Sequence, residues 1–149
     1  MWKPPKFGLI QELYWPDEWK MLVCCLCLNL TTRKQMEPVV SRLFERWPSA
    51  EALSNADPIE VENMTISLGM QNKRAKTLIR FSREFTQGFL CVQDLHGVGK
   101  YAEDSHTIFA LGRWQDARPT DGALIKYWKH LHKIHSISLP EGFEDDCKS

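Results

Sequence analysis

Large apolar side chains recur along this sequence at helical spacing and almost nowhere at strand spacing. Trp19, Leu22, Val23 and Leu26 follow an i, i+3, i+4, i+7 pattern, which places them on one face of a 3.6-residue helix. Pro16 and Asp17 are start signals for that helix. A second stripe, Val39, Val40, Leu43, Phe44 and Trp47, stops at Pro48. Ser49 can cap a short helix through Leu53, and Asp57-Pro58 is an N-cap with proline at the first helical position. That helix is predicted to run to Gly69. Ala75, Leu78, Ile79, Ser82 and Phe85 share the face of another, closed by Gly88. Tyr101, Ile108, Phe109 and Leu111 suggest a helix ending at Gly112, and Leu124, Ile125, Trp128, Leu131 and Ile134 one entered at Thr120-Asp121. No hairpin turn signal, internal repeat or low-complexity segment interrupts them. The pattern predicts an all-α compact bundle, a single domain over 1–137, and an acidic, disordered tail over 138–149.

Composition narrows the function classes. Lys+Arg and Asp+Glu both number 19, so the chain is neutral. Residues 141–149 hold four acids and one lysine, which leaves 1–140 at +3. Bulk charge therefore does not announce a nucleic-acid partner. No apolar run approaches the ~18 residues of a membrane helix, and the first residues lack the apolar centre of a signal peptide. Neither a membrane nor a secreted protein is expected. Cys24, Cys25 and Cys27 lie in an apolar stretch, with Cys91 and Cys147 elsewhere. That spacing is neither a disulfide framework nor a metal motif, and the cysteines read as small buried hydrophobes.

Chemistry concentrates after the fifth helix pattern. In Leu95-His96-Gly97-Val98-Gly99-Lys100-Tyr101, a Gly-x-Gly allows positive φ and close backbone approach. The helix that follows points free N–H groups and its positive dipole end outward, which suits a phosphate. Taken alone, this also suits an ordinary turn between helices. Arg118-Pro119-Thr120-Asp121 then opens the last helix, with Asp121 twenty residues after Tyr101. By itself Asp121 also suits a plain N-cap.

The order of hairpin and helix-start Asp resembles the helix-hairpin-helix DNA glycosylase superfamily, and within it the methyl-CpG-binding-domain mismatch-specific thymine/uracil glycosylases. The resemblance runs from about Pro4 to Ile137. It includes Leu9-Ile10-Gln11-Glu12, Leu28-Asn29, Pro48-Ser49-Ala50-Glu51, Leu68-Gly69, Arg74-Ala75-Lys76-Thr77 and Asp104-Ser105. Its most specific string is His96-Gly97-Val98-Gly99-Lys100-Tyr101. No methyl-CpG-binding domain accompanies these blocks, so the resemblance implies a catalytic domain alone.

It implies the helix-hairpin-helix glycosylase fold, with a DNA cleft between two helical lobes. It also implies a monofunctional, nuclear base-excision-repair hydrolase, a monomer acting on double-stranded DNA that carries a mismatched or damaged pyrimidine. Asp121 matches the catalytic carboxylate. Tyr101 matches a pocket tyrosine where lyase-active relatives carry a lysine. Gln11 and the backbone of Ile10 match groups that read the flipped base, and Leu68, Gly69 and Met70 match the loop beside the widowed guanine. Arg74, Gly97, Gly99 and Lys100 match backbone-gripping positions. No cofactor and no protein-held metal are implied, beyond room for a monovalent cation at the hairpin. Two positions depart from the family. Leu30 stands where an Arg finger penetrates the duplex, and Ala123 stands where a basic residue follows the catalytic Asp.

Several rivals stay open at this level. Asp104 is a second acid near the hairpin and reads as a surface or capping carboxylate. His130, His132 and His135 invite a metal, although 130 and 132 point apart on a helix. Leu30 could merely end the Trp19–Leu28 core stripe. Lys73, Arg74, Lys76 and Arg80 are either a solvated face or a phosphate-facing one. Rival functions are a glycosylase for another base, a non-catalytic helical DNA-binding module and a helical protein-interaction domain.

Overall fold

The computed structural model describes residues 1–143, and among them the chain forms helices and turns but no strand. The helices are α1 (Ile10–Tyr14), α2 (Glu18–Cys27), α3 (Arg33–Arg46), α4 (Ala50–Ser54), α5 (Pro58–Thr65), α6 (Gln71–Gln87), α7 (Lys100–Ser105) and α8 (Gly122–Ile134). Polar caps set their starts. Asp17 accepts from the Lys20 amide at 2.9 Å, Ser49 from Ala52 at 3.1 Å, Asp57 from Ile59 at 3.0 Å and Asp121 from Leu124 at 3.1 Å. Each satisfies an amide the helix itself leaves unpaired, typically worth about 1 kcal/mol.

The structure differs from the sequence expectation where tertiary contacts intervene. The helix expected to reach Gly69 ends at Thr65, then tightens over Ile66–Leu68 before Gly69 turns at φ +75°. The helix expected to run from Tyr101 to Gly112 widens after Ser105. In the wide turn His106–Ala110, the Leu111 amide reaches back five residues to the His106 carbonyl. The Phe109 carbonyl accepts from the indoles of both Trp2 and Trp15, at 2.9 and 3.1 Å. Two tryptophans from the N-terminal segment thus satisfy a carbonyl in a turn that departs from α-helical pairing. Helix α1 carries too short an apolar pattern to be read from periodicity. It starts because Glu12 gathers the amides of Phe7, Gly8 and Leu9.

Two apolar cores result among the described residues. The larger joins α2 to α6, with Leu22, Val23, Met36, Val40, Leu43, Leu53, Val61, Leu78 and Phe81 fully or almost fully buried. The smaller is aromatic and contains Met21, Ile108, Phe109, Trp114, Leu124, Tyr127, Trp128 and Leu131. Helix α2 feeds both, Leu22 to one and Met21 to the other. Tyr14 and Tyr101 pack against both, which marks the seam. Part of the segment expected as a tail lies against the smaller core, with Leu139 on it and the Phe143 ring 4.6 Å from that of Trp128. The rest, 144–149, falls outside the described residues. No helix among the described residues is long and apolar enough to cross a membrane.

Candidate active site

The seam opens as a cleft of about 740 Å³. Helix α1 contributes Ile10 and Gln11, α2 contributes Cys25 to Cys27, and the turn after α2 contributes Leu28 to Thr31. Met70, Lys73 and Arg74 line it from the start of α6, and Gly97, Gly99, Lys100 and Tyr101 from the hairpin. Asp121 and Ala123 close it from α8. Residues as far apart in the chain as Leu9 and Ala123 therefore share one concavity.

Its floor is a buried polar cluster. Gln11 is fully buried, and its Nε2 donates to Tyr101 Oη at 2.8 Å and to Ser105 Oγ at 3.0 Å. Both amide hydrogens are thereby used, while Oε1 has no partner among the described residues. A buried acceptor without a donor is uncommon and calls for an explanation. Burial pushes the Tyr101 phenol above the ordinary tyrosine range, with further upward contributions from Cys25 and Asp121. The hydroxyl is thus a neutral donor. Burial also pushes the Cys25 thiol up to about 12, so this cleft-lining cysteine is not a thiolate nucleophile. Asp121 caps α8 through Oδ2, and its other oxygen has no partner among the described residues. Ser105 and Cys25 are the floor residues that sequence reasoning gave no role. The adjacency of Ser105 to Asp104 in a matching block was the only signal for the first, and nothing local signalled the second.

The rim is built differently. Leu30 is 79% exposed at φ +61°, and Met70 is 44% exposed at φ +49°. Leu30 does not end a core stripe, because it projects from the turn beyond α2. Leu68 is buried and Gly69 turns the chain into Met70. At Gly97, φ is +85°, and a β-carbon would fall 2.6 Å from Thr77 Cγ2. Gly99 is extended and its missing β-carbon would meet nothing within 4 Å. The first glycine is required by the protein's own packing. The second leaves an open approach to the backbone.

Three of the expected residues meet protein partners that the sequence did not show. Arg74, expected to grip a DNA backbone, is only 6% exposed, and its guanidinium is committed to the carbonyls of Gly69, Asn29 and Leu68 at 2.9, 2.8 and 3.3 Å. The ammonium of Lys100, at the cleft, is engaged within the protein. It lies on both oxygens of Asp104, at 2.8 and 2.7 Å, and on the Arg118 carbonyl at 2.9 Å. Asp104, expected at the surface, is buried by that pairing and does not line the cleft. His132 and His135 hydrogen-bond the carbonyls of Trp128 and Leu131, and His130 stacks near Phe7, so the three do not converge. On the outer face of α6, Lys73, Lys76, Arg80 and Arg83 follow one exposed stripe, and with His96 they line a shallow groove beside the hairpin. Glu84 is the one acid in that helix, bonded to Arg80 and to the His96 amide.

The model of the HhH-GPD superfamily of base excision DNA repair proteins matches residues 23–149. The chain belongs to this superfamily. Among its HhH-GPD relatives, it is 41% identical over 133 residues to a methyl-CpG-binding domain protein 4-like protein of Arabidopsis thaliana, covering 87% of this chain and 30% of that protein. It is 33% identical over 105 residues to a thymine/uracil-DNA glycosylase of Pyrobaculum aerophilum, covering 65% and 46%. The chain thus spans less than half the length of these two relatives. The solved structure of a thermostable thymine-DNA glycosylase superposes with a TM-score of 0.59 at 23% identity, over 64% of this chain and 48% of that one, which supports the HhH-GPD fold.

Proposed function

We propose that this chain is a monofunctional DNA glycosylase that removes thymine or uracil from G·T and G·U mismatches by base flipping and Asp121-assisted hydrolysis. The observation that carries this reading is the unpaired Oε1 of buried Gln11, in the same cleft as Asp121. Thymine and uracil present an imide N–H that such an acceptor complements. Cytosine presents a bare ring nitrogen, and two facing acceptors repel. Leaving a buried polar group unmatched costs about 1–3 kcal/mol, enough to discriminate between bases.

A base inside a duplex cannot reach this floor, so it must be rotated out, at a cost of a few kcal/mol that a mispair lowers. Gly99, with Gly97 setting the turn before it, would let a strand approach the backbone amides at the start of α7, and the α6 stripe would follow its phosphates. Leu30 would fill the vacated stack apolarly. Breaking the glycosidic bond then develops positive charge on the sugar. The carboxylate oxygen of Asp121 that has no partner would stabilise that charge and orient water at the anomeric carbon. Tyr101, neutral and hydrogen-bonded to Gln11, would hold the base edge. No lyase step follows, since Tyr101 cannot form a Schiff base and Lys100 Nζ is engaged by both oxygens of Asp104. The methyl-CpG-binding domain protein 4-like and thymine/uracil-DNA glycosylase names of the relatives support this reading, and the first of them supports a nuclear site of action.

Single-turnover assays on G·T, G·U and G·C duplexes test it. Excision from the first two with an intact abasic strand is expected. Equal excision from G·C, removal of a purine instead, or borohydride trapping of a covalent adduct would overturn it.

A further inference from the structure

Leu30 and Met70 are far apart in sequence, yet both place an exposed apolar side chain at the cleft rim on left-handed backbone. A residue with a β-carbon adopts that conformation only where its surroundings over-determine it, and such residues cluster at functional sites. The surroundings here converge on one side chain. Arg74 donates from Nη2 to the carbonyl of Asn29, the residue before Leu30. It donates from Nε to the carbonyl of Gly69, the residue before Met70. A third bond, to Leu68, fixes the same turn. The guanidinium is buried and forms no ion pair with a carboxylate among the described residues. The planar guanidinium donates from separate nitrogens in fixed directions to the carbonyls of both turns; a lysine ammonium presents its donors from one rotatable point and lacks that spread.

We infer that Arg74 is a positioning residue that locks Leu30 and Met70 into one paired wedge, with one prong for the gap left by the flipped nucleotide and the other beside the base left behind. Leu30 itself has no group that can hold a phosphate, so its place depends on what grips its turn from behind. This rests on the base-flipping reading above and adds a coupling between two loops that lie 40 positions apart in the chain.

The experiment compares a uracil in a G·U duplex with the same uracil in a single strand, under single-turnover conditions with saturating enzyme. Arg74→Lys should lower the duplex rate about ten-fold or more and the single-strand rate less than about two-fold, since only the duplex has a gap to fill. Adding Leu30→Ala to Arg74→Lys should cost less than Leu30→Ala alone, because the prong is already unheld. A parallel fall on both substrates, no fall on either, or additive effects would overturn the inference. A readout on the unmodified protein needs neither catalysis nor a variant. In hydrogen exchange under mild urea, the Thr31 and Gly69 amides, bonded to Leu28 and Ile66, should open as one unit. Distinct protection of the two turns counts against the clamp even where wild-type enzyme excises nothing, an outcome that sinks the glycosylase reading separately.

Discussion

The floor and the rim of the cleft are held by opposite means. On the floor, Gln11, Tyr101 and Ser105 belong to helices and are fixed by side-chain hydrogen bonds to one another. On the rim, Leu30 and Met70 stand on left-handed turns and are fixed only through their backbone, by a guanidinium from behind. A floor that reads a base edge needs donors and acceptors placed to fractions of an ångström, and packed helices supply that. A rim that enters a duplex must expose apolar side chains to water until DNA arrives. It cannot use burial of those side chains to hold them, so the backbone is held instead.

The largest effect is expected from breaking the floor. Asp121→Asn should keep fold and mismatch binding, because Asn caps a helix as well as Asp does. Excision should fall at least ~10³-fold, since an amide cannot stabilise the developing cation. A melting curve and a single-turnover rate on the same preparation check this. Near wild-type excision by Asp121→Asn alongside a dead Asp104→Asn would reassign the acid.

Next comes Gln11→Ala. It strips Tyr101 and Ser105 of their shared partner and removes the free acceptor. A rate loss of about ten- to a hundred-fold is expected on duplex and single strand alike, in line with 1–3 kcal/mol for an unmatched buried group. Leu30→Ala, a rim change, should behave otherwise. It should cost roughly ten-fold on a G·T duplex, because a methyl group leaves the vacated stack largely unfilled, and nothing on a single strand. Equal rate reductions on the two substrates for Leu30→Ala would erase the distinction between floor and rim.

The two hairpin glycines sharpen it further. Gly97→Ala should lower the melting temperature by several degrees, because its β-carbon meets Thr77 on strained backbone. Gly99→Ala should leave melting unchanged and weaken DNA binding, measurable as a raised Kd with little change in the salt slope. The smallest effect is that of pH. The Tyr101 phenol is raised by burial, so its neutral form is favoured in the fold. That stability is complete below the unfolded tyrosine value of about 10 and is lost as pH rises from there through the folded value. Neither rate nor melting should change through Tyr101 between pH 7 and 9.

Several roles were legible because they are local. Asp17, Ser49, Asp57 and Asp121 announced helix starts by residue type and position, and the hairpin announced itself by Gly97 and Gly99. Arg74 and Lys100 were expected at a DNA backbone, and their protein partners were not legible, for an equally local reason. A sequence shows the charge of a side chain, and an i, i+4 acid such as Asp104 beside Lys100, but not the distant carbonyls the side chain will meet. Arg74 finds Asn29 across 45 positions, and Lys100 finds Arg118 across 18. The floor partner Ser105 lies 94 positions from Gln11, beyond any pattern of spacing.

The sequence by itself determined an all-helical chain, the places where its helices begin, and a hairpin followed by a helix-start carboxylate. These follow from periodicity and from amides at helix ends, which depend on neighbours a few residues away. Only the tertiary structure decided that helix α2 would divide two cores and that their seam would be the cleft. It also decided that one buried arginine would hold both turns of the rim. Those outcomes depend on which distant surfaces exclude water together, and burial of that kind has no signature in the spacing of residues along the chain.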